Sequence, residues 1–498
     1  MRGLWMLLVV TVAACSSEAP PSPCEPTGGG PYWVVEGDSL NFGVACATGL
    51  AGPGAELAVM SLPAGASYDP LTATVSFVPD FDQAAVYRVA LVVVATGEIG
   101  SVKIGVADAA GDPRNVVIAD PLRYTEEFGL PVFFLSPGPS ASDGYAPTTV
   151  SYGGHAYAAE GKKRGAASLG YPKNSYTLKF DGDDRFQAPA HDFVDKKKLV
   201  LISTFDDNSY LRQRLAYELW NRMDPAHLQI QVFSAVVYVE GEYWGLYTVA
   251  DHVDRHLMEA HGLSPDGNLY KAVNHDANFD TVSRQSGGPK NTLHDGLVKR
   301  EGLPVDDYAD LDELVGFVAQ SSDDELRAGL GDRVDLRDYQ DWWVLVTFML
   351  ADDSAGKNSY HFHDPLGGPW RFLPWDFNHS FGQTWQSDRE AADIHQEYRG
   401  ANRLFDRMLA DPTFADPMLA RYAELLSGPL EISALLDLVD EWIVEIDASA
   451  RRDEQQWGAA YRSYGGWSWR SNFTTYDEEL DYLREWLAAR WSFQDAIY

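Results

Sequence analysis

Two neighbouring stretches decide the fold of the larger part of this chain: ADDSAGKNSY at residues 351–360 and WRFLPWDFNHSFG at residues 370–382. In the first stretch Asp353 and Asn358 are five positions apart, and in the second Asp376 opens the triplet Asp-Phe-Asn. A lone aspartate most often caps a turn or a helix. Only the joint pattern of the three residues therefore points to chemistry.

Residues 359–362 and 370–373 read as two short strands, which predicts a hairpin that returns Asp376 to the side of Asp353. Phosphoryl transfer needs a carboxylate near the acceptor hydroxyl and oxygen ligands that hold Mg²⁺ against the phosphates. Protein kinases supply these groups as Asp-x-x-x-x-Asn and as the first residue of Asp-Phe-Gly. The spacing therefore predicts a catalytic loop followed by a metal loop.

The rest of the large C-terminal region mixes strands with helices. Residues 176–180 alternate, with Tyr176 and Leu178 on one face and Thr177 and Lys179 on the other, as in a half-buried strand. Residues 211–223 have helical spacing, and the pattern is mostly helical beyond residue 402. These patterns predict an α+β domain.

Several motifs together resemble the CotH family of secreted, protein-kinase-like proteins. They are, in chain order, RGAAS at 164–168, PKNSYTLKF at 172–180, SYLR at 209–212, GEYWGLY at 241–247, LYK at 269–271, KNSY at 357–360 and PWDFNHSFG at 374–382. The resemblance covers residues 115–490 and implies an atypical protein-kinase-like, two-lobed domain. It also implies ATP and Mg²⁺ as cofactors and serines of secreted or coat proteins as substrates.

The resemblance assigns roles to four residues of the two loops. Asp353 would be the catalytic carboxylate that orients the acceptor hydroxyl, and Lys357 would contact the γ-phosphate. Asp376 would be the main Mg²⁺ ligand, and Asn358 the second.

A second group of residues is expected to bind the phosphates of ATP. Arg164 and Ser168 take the place of a glycine-rich loop, because the chain has no GxGxxG. Lys173 and Lys179 are the candidates for a phosphate-binding lysine, and Lys179 has the better strand phase. We expect Glu218, on the helix that follows, to pair with that lysine.

The chain departs from the family pattern at Asn378, where the family usually has an acid. Losing one charge should weaken a second metal rather than remove the first, because amide oxygens still coordinate hard cations. His361, His363 and His379 are also metal-ligand types, but histidines that alternate on a strand more often pack or face solvent.

The N-terminus resembles a bacterial lipoprotein signal. Arg2 precedes an apolar run at residues 4–12, which is too short to span a bilayer, and small residues then lead to Cys15. We expect residues 1–14 to be removed and Cys15 to carry lipid; the alternative is an ordinary secretory peptide. The mature protein would then be lipid-anchored outside the cytoplasm, on the outer membrane or cell surface, and would contact the membrane only through this lipid.

Residues 15–30 are rich in Pro and Gly and predict a flexible tether. Residues 31–110 alternate like short strands and resemble the immunoglobulin-like β-sandwich domains of bacterial surface proteins. Cys24 and Cys46 are an even pair in an oxidising compartment, so they form a disulfide or remain as two free thiols.

Composition limits the partners. The chain has 39 Lys and Arg against 73 Asp and Glu, a net charge of −34, which disfavours nucleic acid. Such a surface would attract a basic, serine-rich protein substrate. Besides a serine kinase, the pattern leaves open an inactive kinase-fold binding or assembly protein and a transferase of AMP.

Replacing Cys15 with alanine should release the protein from the membrane, because the acyl chains are the expected anchor. Membrane fractionation and the intact mass of wild type and Cys15→Ala test this. An unmodified wild-type mass with unchanged fractionation of the variant would contradict it.

Overall fold

The computed structural model describes residues 26–27, 29–46, 57–60, 62–80, 83, 85–94, 99–107, 120–385, 387–467 and 475–498. The predicted signal peptide, the lipidation of Cys15 and the disulfide partner Cys24 lie outside these residues, so they stay predictions. The chain divides into two units, Met1–Ala110 and Gly111–Tyr498.

The first unit is built from strands. They are β1 (Pro26–Thr27), β2 (Tyr32–Val35), β3 (Leu40–Gly43), β4 (Ala45–Cys46), β5 (Leu57–Met60), β6 (Ser67–Asp69), β7 (Thr74–Phe77), β8 (Ala85–Val93) and β9 (Ile99–Ala107). One sheet has the order β2-β9-β8-β5 and another the order β3-β7-β6. Phe42 and Phe77 of the second sheet share one apolar core with Val89 and Ile104 of the first. The unit is thus β-rich, as predicted, and its immunoglobulin-like topology stays a prediction.

The second unit begins with a large sheet. Its strands are β10 (Glu126–Glu127), β11 (Leu130–Ser136), β12 (Ala146–Tyr152), β13 (His155–Arg164), β14 (Ser175–Phe180), β17 (Lys198–Ile202), β18 (Val232–Val239) and β19 (Glu242–Asp251). The strands β15 (Phe186–Ala188) and β16 (Phe193–Lys196) form a separate two-stranded sheet. The order is β10-β11-β12-β13-β14-β17-β19-β18, and β11 also pairs in parallel with β18. This extra pairing closes seven strands into a ring.

The alternation predicted for β14 is present in this sheet. Tyr176, Leu178 and Phe180 are buried in the core enclosed by the ring. Ser175 and Thr177, on the opposite face, line a cavity. The apolar face of the strand thus fixes which side chains are left for a ligand.

Helices and a small sheet complete the unit. The helices are α1 (Arg212–Met223), α2 (Arg255–Ala260), α3 (Ala309–Gln320), α4 (Asp323–Arg333), α5 (Leu336–Met349), α6 (Arg403–Ala410), α7 (Pro412–Leu426), α8 (Ile432–Ser463) and α9 (Tyr476–Asp495). The small sheet has the order β21 (Leu297–Glu301), β20 (Asn268–Ala272), β22 (Ser359–His363) and β23 (Arg371–Pro374). The α+β class is therefore confirmed, while the kinase-like division into two lobes stays a prediction.

Helix α5 is the centre of the helical part. Every residue from Asp338 to Met349 is buried, and Trp342 and Trp343 are fully enclosed. Leu350 ends the helix with a φ of 52°, in the left-handed region that commonly terminates helices. The chain therefore leaves a rigid core element just before Asp353. Within the described ranges, every helix is too short or too polar to cross a bilayer.

A chain that begins at Asn115 should bind ATP with the same dissociation constant as the full chain, because each unit has its own apolar core. Isothermal titration of both proteins checks this. A large loss of affinity on truncation would show that the two units are coupled.

Candidate active site

One cavity of about 1090 Å³ lies between the large sheet and the small sheet of the second unit. Strands β13, β14 and β17 and the first turn of α1 form one side, and β20, β21 and the segments 352–358 and 375–379 form the other. Asp353, Lys357, Asn358 and Asp376 all line it. The two stretches that were singled out in the sequence therefore meet in one place.

The first loop holds Asp353 by several hydrogen bonds. The 3₁₀ turn Asp352–Ser354 follows α5, and the Trp342 indole N–H fixes it by donating to the Ser354 carbonyl at 3.1 Å. Lys357 Nζ donates to both Asp353 carboxylate oxygens, at 2.9 and 2.7 Å, and Asn358 Nδ2 donates at 3.0 Å. His275 Nε2 lies 3.3 Å from the same carboxylate.

These contacts set the charge of Asp353. Burial opposes ionisation, but the hydrogen bonds from His275 and Lys357 outweigh it and hold the pKa of this carboxyl at about 2. Asp353 is therefore ionised at any pH near neutrality. Such a carboxylate accepts a hydrogen bond well and is a weak proton acceptor.

The predicted hairpin brings the second loop against the first. Strands β22 and β23 pair with Ser359 opposite Pro374. The Trp375 backbone N–H then donates to the Asn358 carbonyl at 3.1 Å, and Asn358 Nδ2 lies 3.4 Å from the Asp376 carbonyl. The Asp376 N–H donates to the hydroxyl of Tyr217, on α1, at 3.4 Å. The structure thus places Asp353, Asn358 and Asp376 together.

The backbone is strained at both candidate metal ligands. Asn358 has a φ of 56° and Asp376 a φ of 60°. Residues with a Cβ rarely adopt this left-handed conformation, although Asn and Asp tolerate it better than most. Strain of this kind persists where the surrounding structure enforces it, and it clusters at functional sites.

The cavity wall is rich in cations. Eight basic side chains line it against six acidic ones: Lys162, Lys163, Arg164, Lys198, Lys271, Arg284, Arg300 and Lys357 against Asp206, Asp207, Glu301, Asp352, Asp353 and Asp376. The whole chain has the opposite balance, 39 basic residues against 73 acidic. A local excess of positive charge on so acidic a protein favours an anionic ligand.

Three of these cations rest on aromatic rings rather than on carboxylates. Lys162 Nζ lies 4.7 Å from the ring centre of Tyr145, and the Arg164 guanidinium lies 4.8 Å from that of Trp375. Lys271 Nζ lies 5.7 Å from Trp375. Within the described part of the chain, no carboxylate forms an ion pair with any of the three. Burial, with repulsion from Arg164, lowers the pKa of Lys271 to about 8.

The loop after β13 matches its motif. Arg164 and Ser168 line the cavity, as expected. Gly165 has a φ of 130°, and a Cβ at this position would lie 2.0 Å from Ser168 Oγ. Glycine is therefore required for Ser168 to fold back against the loop.

The structure does not support the expected lysines and their partner. Lys173 is fully buried, with Nζ 2.5 Å from Asp453 and 2.6 Å from the Leu246 carbonyl, so it is a structural ion pair and faces no ligand. Lys179 has the predicted phase but lies outside the cavity lining, where it pairs with Glu160 at 2.7 Å. The expected Lys179–Glu218 pair was wrong: Glu218 pairs with Arg222, four residues along α1.

Other residues take these places in the cavity wall. Lys271 comes from β20, and Lys198, from β17, pairs with Asp254 at 3.0 Å. Gln213, rather than Glu218, is the α1 side chain that lines the cavity. Lys271 belongs to the LYK motif at residues 269–271, but only the pairing of β20 with β22 shows that it lies beside the two loops.

The donor set fits a hard cation and not zinc. Asp376 and Asn358 offer oxygen atoms, and Mg²⁺ in proteins typically takes one or two carboxylates and completes its shell with phosphates and water. His361 bonds to Tyr339, His363 to Asp310 and His379 to Asp206, so the three histidines have separate partners. Among the described residues, no group of three or more His, Cys, Asp or Glu is arranged to hold a metal.

Comparison with known proteins identifies the family. The family model described as CotH kinase protein matches residues 162–493, and the chain therefore belongs to this family. Inner spore coat protein H of Bacillus subtilis (strain 168) is 24% identical over 251 residues, which cover 50% of this chain and 66% of that protein. The match thus spans slightly less than two thirds of that relative's length.

Lys173→Met should lower the free energy of unfolding by about 3 to 5 kcal/mol, because it leaves the buried Asp453 carboxylate without its cation. Lys179→Met is the matched control and should cost about 0 to 1 kcal/mol, since its ion pair is partly exposed to solvent. Urea unfolding of both variants gives the two values. Equal losses would show that the Lys173 pair has no special structural role.

Proposed function

We propose that this chain is an ATP- and Mg²⁺-dependent kinase that phosphorylates serine residues of proteins outside the cytoplasm. The observation that carries the proposal is the contact between the Asp353–Asn358 loop and Asp376 in a cavity with a cationic wall. Phosphoryl transfer depends mainly on positioning and charge neutralisation, and these residues offer both.

Some loop residues would bind the metal ion and others the acceptor hydroxyl. Asp376 and the Asn358 amide oxygen would hold Mg²⁺, because they are hard oxygen donors on adjoining loops. Bound Mg²⁺ would neutralise charge on the phosphates. Asp353, ionised and fixed by Lys357, would accept a hydrogen bond from the acceptor hydroxyl and so orient it.

The cations without carboxylate partners would bind the triphosphate. Arg164 and Lys271 line the cavity beside Trp375, next to the metal loop. Lys162, directly opposite the cavity-lining Thr177 on the neighbouring strand, extends this surface along β13. Lys357 would contact the γ-phosphate once Asp353 has taken up its substrate.

Location and partners follow from the sequence and from the relative. The relative is by its name a protein of the inner spore coat, which supports a place outside the cytoplasm for this chain too. A lipid on Cys15 would anchor it to the membrane. The net charge of −34 favours a basic, serine-rich protein substrate over nucleic acid.

Asp376→Ala should lose Mg²⁺-dependent ATP binding together with turnover, whereas Asp353→Asn should keep ATP binding and lose transfer by about 10² to 10⁴-fold. The assay is transfer of label from γ-labelled ATP to a basic, serine-rich protein, with ATP affinity measured separately. Asp416→Asn, an exposed change on α7, is the control and should behave as wild type.

Label from α-labelled ATP distinguishes the alternatives. Transfer from the α position alone would reject the kinase in favour of AMP transfer. No transfer from either position, with ATP still bound, would leave an inactive binding or assembly protein. Equal activity of wild type and Asp376→Ala would remove the metal ligand from the proposal.

A further inference from the structure

One buried amide of the cavity wall is left without hydrogen bonds. Gln213, in the first turn of α1, is 1% exposed and lines the cavity. In the described part of the chain neither its Oε1 nor its Nε2 has a hydrogen-bond partner. An unsatisfied buried amide destabilises a fold, so its retention in a cavity wall points to a ligand there.

A buried carboxylate, that of Asp206, lines the same cavity as this amide. Asp206 is 5% exposed. Its Oδ2 accepts from Asn378 Nδ2 at 2.5 Å and from the Tyr171 hydroxyl at 3.3 Å, and it lies 3.0 Å from His379 Nε2. All three of these side-chain bonds end at Oδ2, and a backbone N–H also bonds to the carboxylate. Among the described residues no side chain holds Oδ1, so this is the oxygen that can face a ligand. Asn378 likewise uses its nitrogen here, and among the described residues its amide oxygen has no hydrogen-bond partner.

The local fold brings these groups to one side of the cavity. The next residue, Asp207, accepts the backbone N–H of Arg212 at 2.9 Å, so the 206–207 turn abuts the start of α1 and Gln213. Tyr217, one turn further along α1, contacts the Asp376 backbone. Helix α1 therefore faces the metal loop with Gln213 as well as Tyr217.

We propose that Asp206, Gln213 and Asn378 form a second position for a divalent cation, on the α1 side of the cavity. They offer one carboxylate oxygen and two amide oxygens, the hard donors that Mg²⁺ and Mn²⁺ accept. His379 and Tyr171 hold the other carboxylate oxygen and would orient Asp206 as outer-shell partners. Residue 378 is an amide in this chain, and Asp206, in the loop before α1, supplies the negative charge of this position.

This inference rests on the proposed function, because a cation at this position would face the same phosphates as a cation bound by Asp376. It can nevertheless be tested without nucleotide. Mn²⁺ is the probe, added to the full chain, and free Mn²⁺ is measured by electron paramagnetic resonance. Asp206→Asn and Gln213→Met should each raise the Mn²⁺ dissociation constant at least about tenfold.

Two controls separate this effect from general loss of charge or fold. Glu301→Gln removes an acid that lines the same cavity on β21, and it should leave Mn²⁺ affinity unchanged. Gln213→Met removes the unsatisfied amide, so the metal-free variant should have an unfolding midpoint equal to or above that of wild type. Weaker Mn²⁺ binding without loss of stability is a result that a purely structural glutamine would not give.

The proposal is overturned if Mn²⁺ binds Asp206→Asn and Gln213→Met as tightly as wild type, or if wild type binds none. Asp376→Ala should still bind Mn²⁺, and a complete loss there would reject a separate position. Mn²⁺ binding that depends on Asp206 and Gln213, in a protein that transfers no phosphate, would support this position while the kinase proposal failed.

Discussion

The antiparallel pairing of β22 with β23 is the constraint on which the site depends. It brings together Asn358 and Asp376, which are 18 residues apart, so that the Asn358 side-chain amide lies against the Asp376 carbonyl and the Trp375 N–H donates to the Asn358 carbonyl. Strand β22 also pairs with β20, and this places Lys271 opposite Tyr360. A single central strand therefore sets the relative positions of an amide, a carboxylate and a cation that come from three segments. Helix α5, buried along almost its whole length, fixes the point at which this strand begins.

Two kinds of basic residue can be told apart by their partners. Structural cations are fully buried and bonded to acids, as Lys173 is to Asp453 and Arg212 is to both Asp207 and Glu479. Removing one partner of such a pair leaves a buried charge, so these residues are tied to the fold. Three of the cavity cations, Lys162, Arg164 and Lys271, lie over aromatic rings instead and keep their charge available. In so acidic a chain, acids to pair with them are plentiful, so their isolation is informative.

The sequence predicted well what depends on short spacing. The hairpin, the meeting of Asp353, Asn358 and Asp376, the alternation of β14 and the helix α1 all follow from patterns within about 30 residues. The burial of Lys173 could not be predicted in this way, because its ion-pair partner, Asp453, is 280 residues away. Lys179 is on the predicted face of β14, but its position along the strand places it outside the cavity lining. Closure of the ring by the parallel β11–β18 pair is also a long-range event that no local pattern contains.

Several unfavourable features of this unit lie in the wall of one cavity. Asn358 and Asp376 hold positive φ angles, Gln213 has an unsatisfied amide, and the buried indole N–H of Trp375 has no partner among the described residues. Each of these lowers the stability of the ligand-free protein. Because they line one cavity, a cation and an anion bound there would offset these costs together, by meeting the buried amide of Gln213 and the indole N–H of Trp375. The dense core around α5 and the buried ion pairs supply the stability that offsets the cost of such a wall in the ligand-free protein.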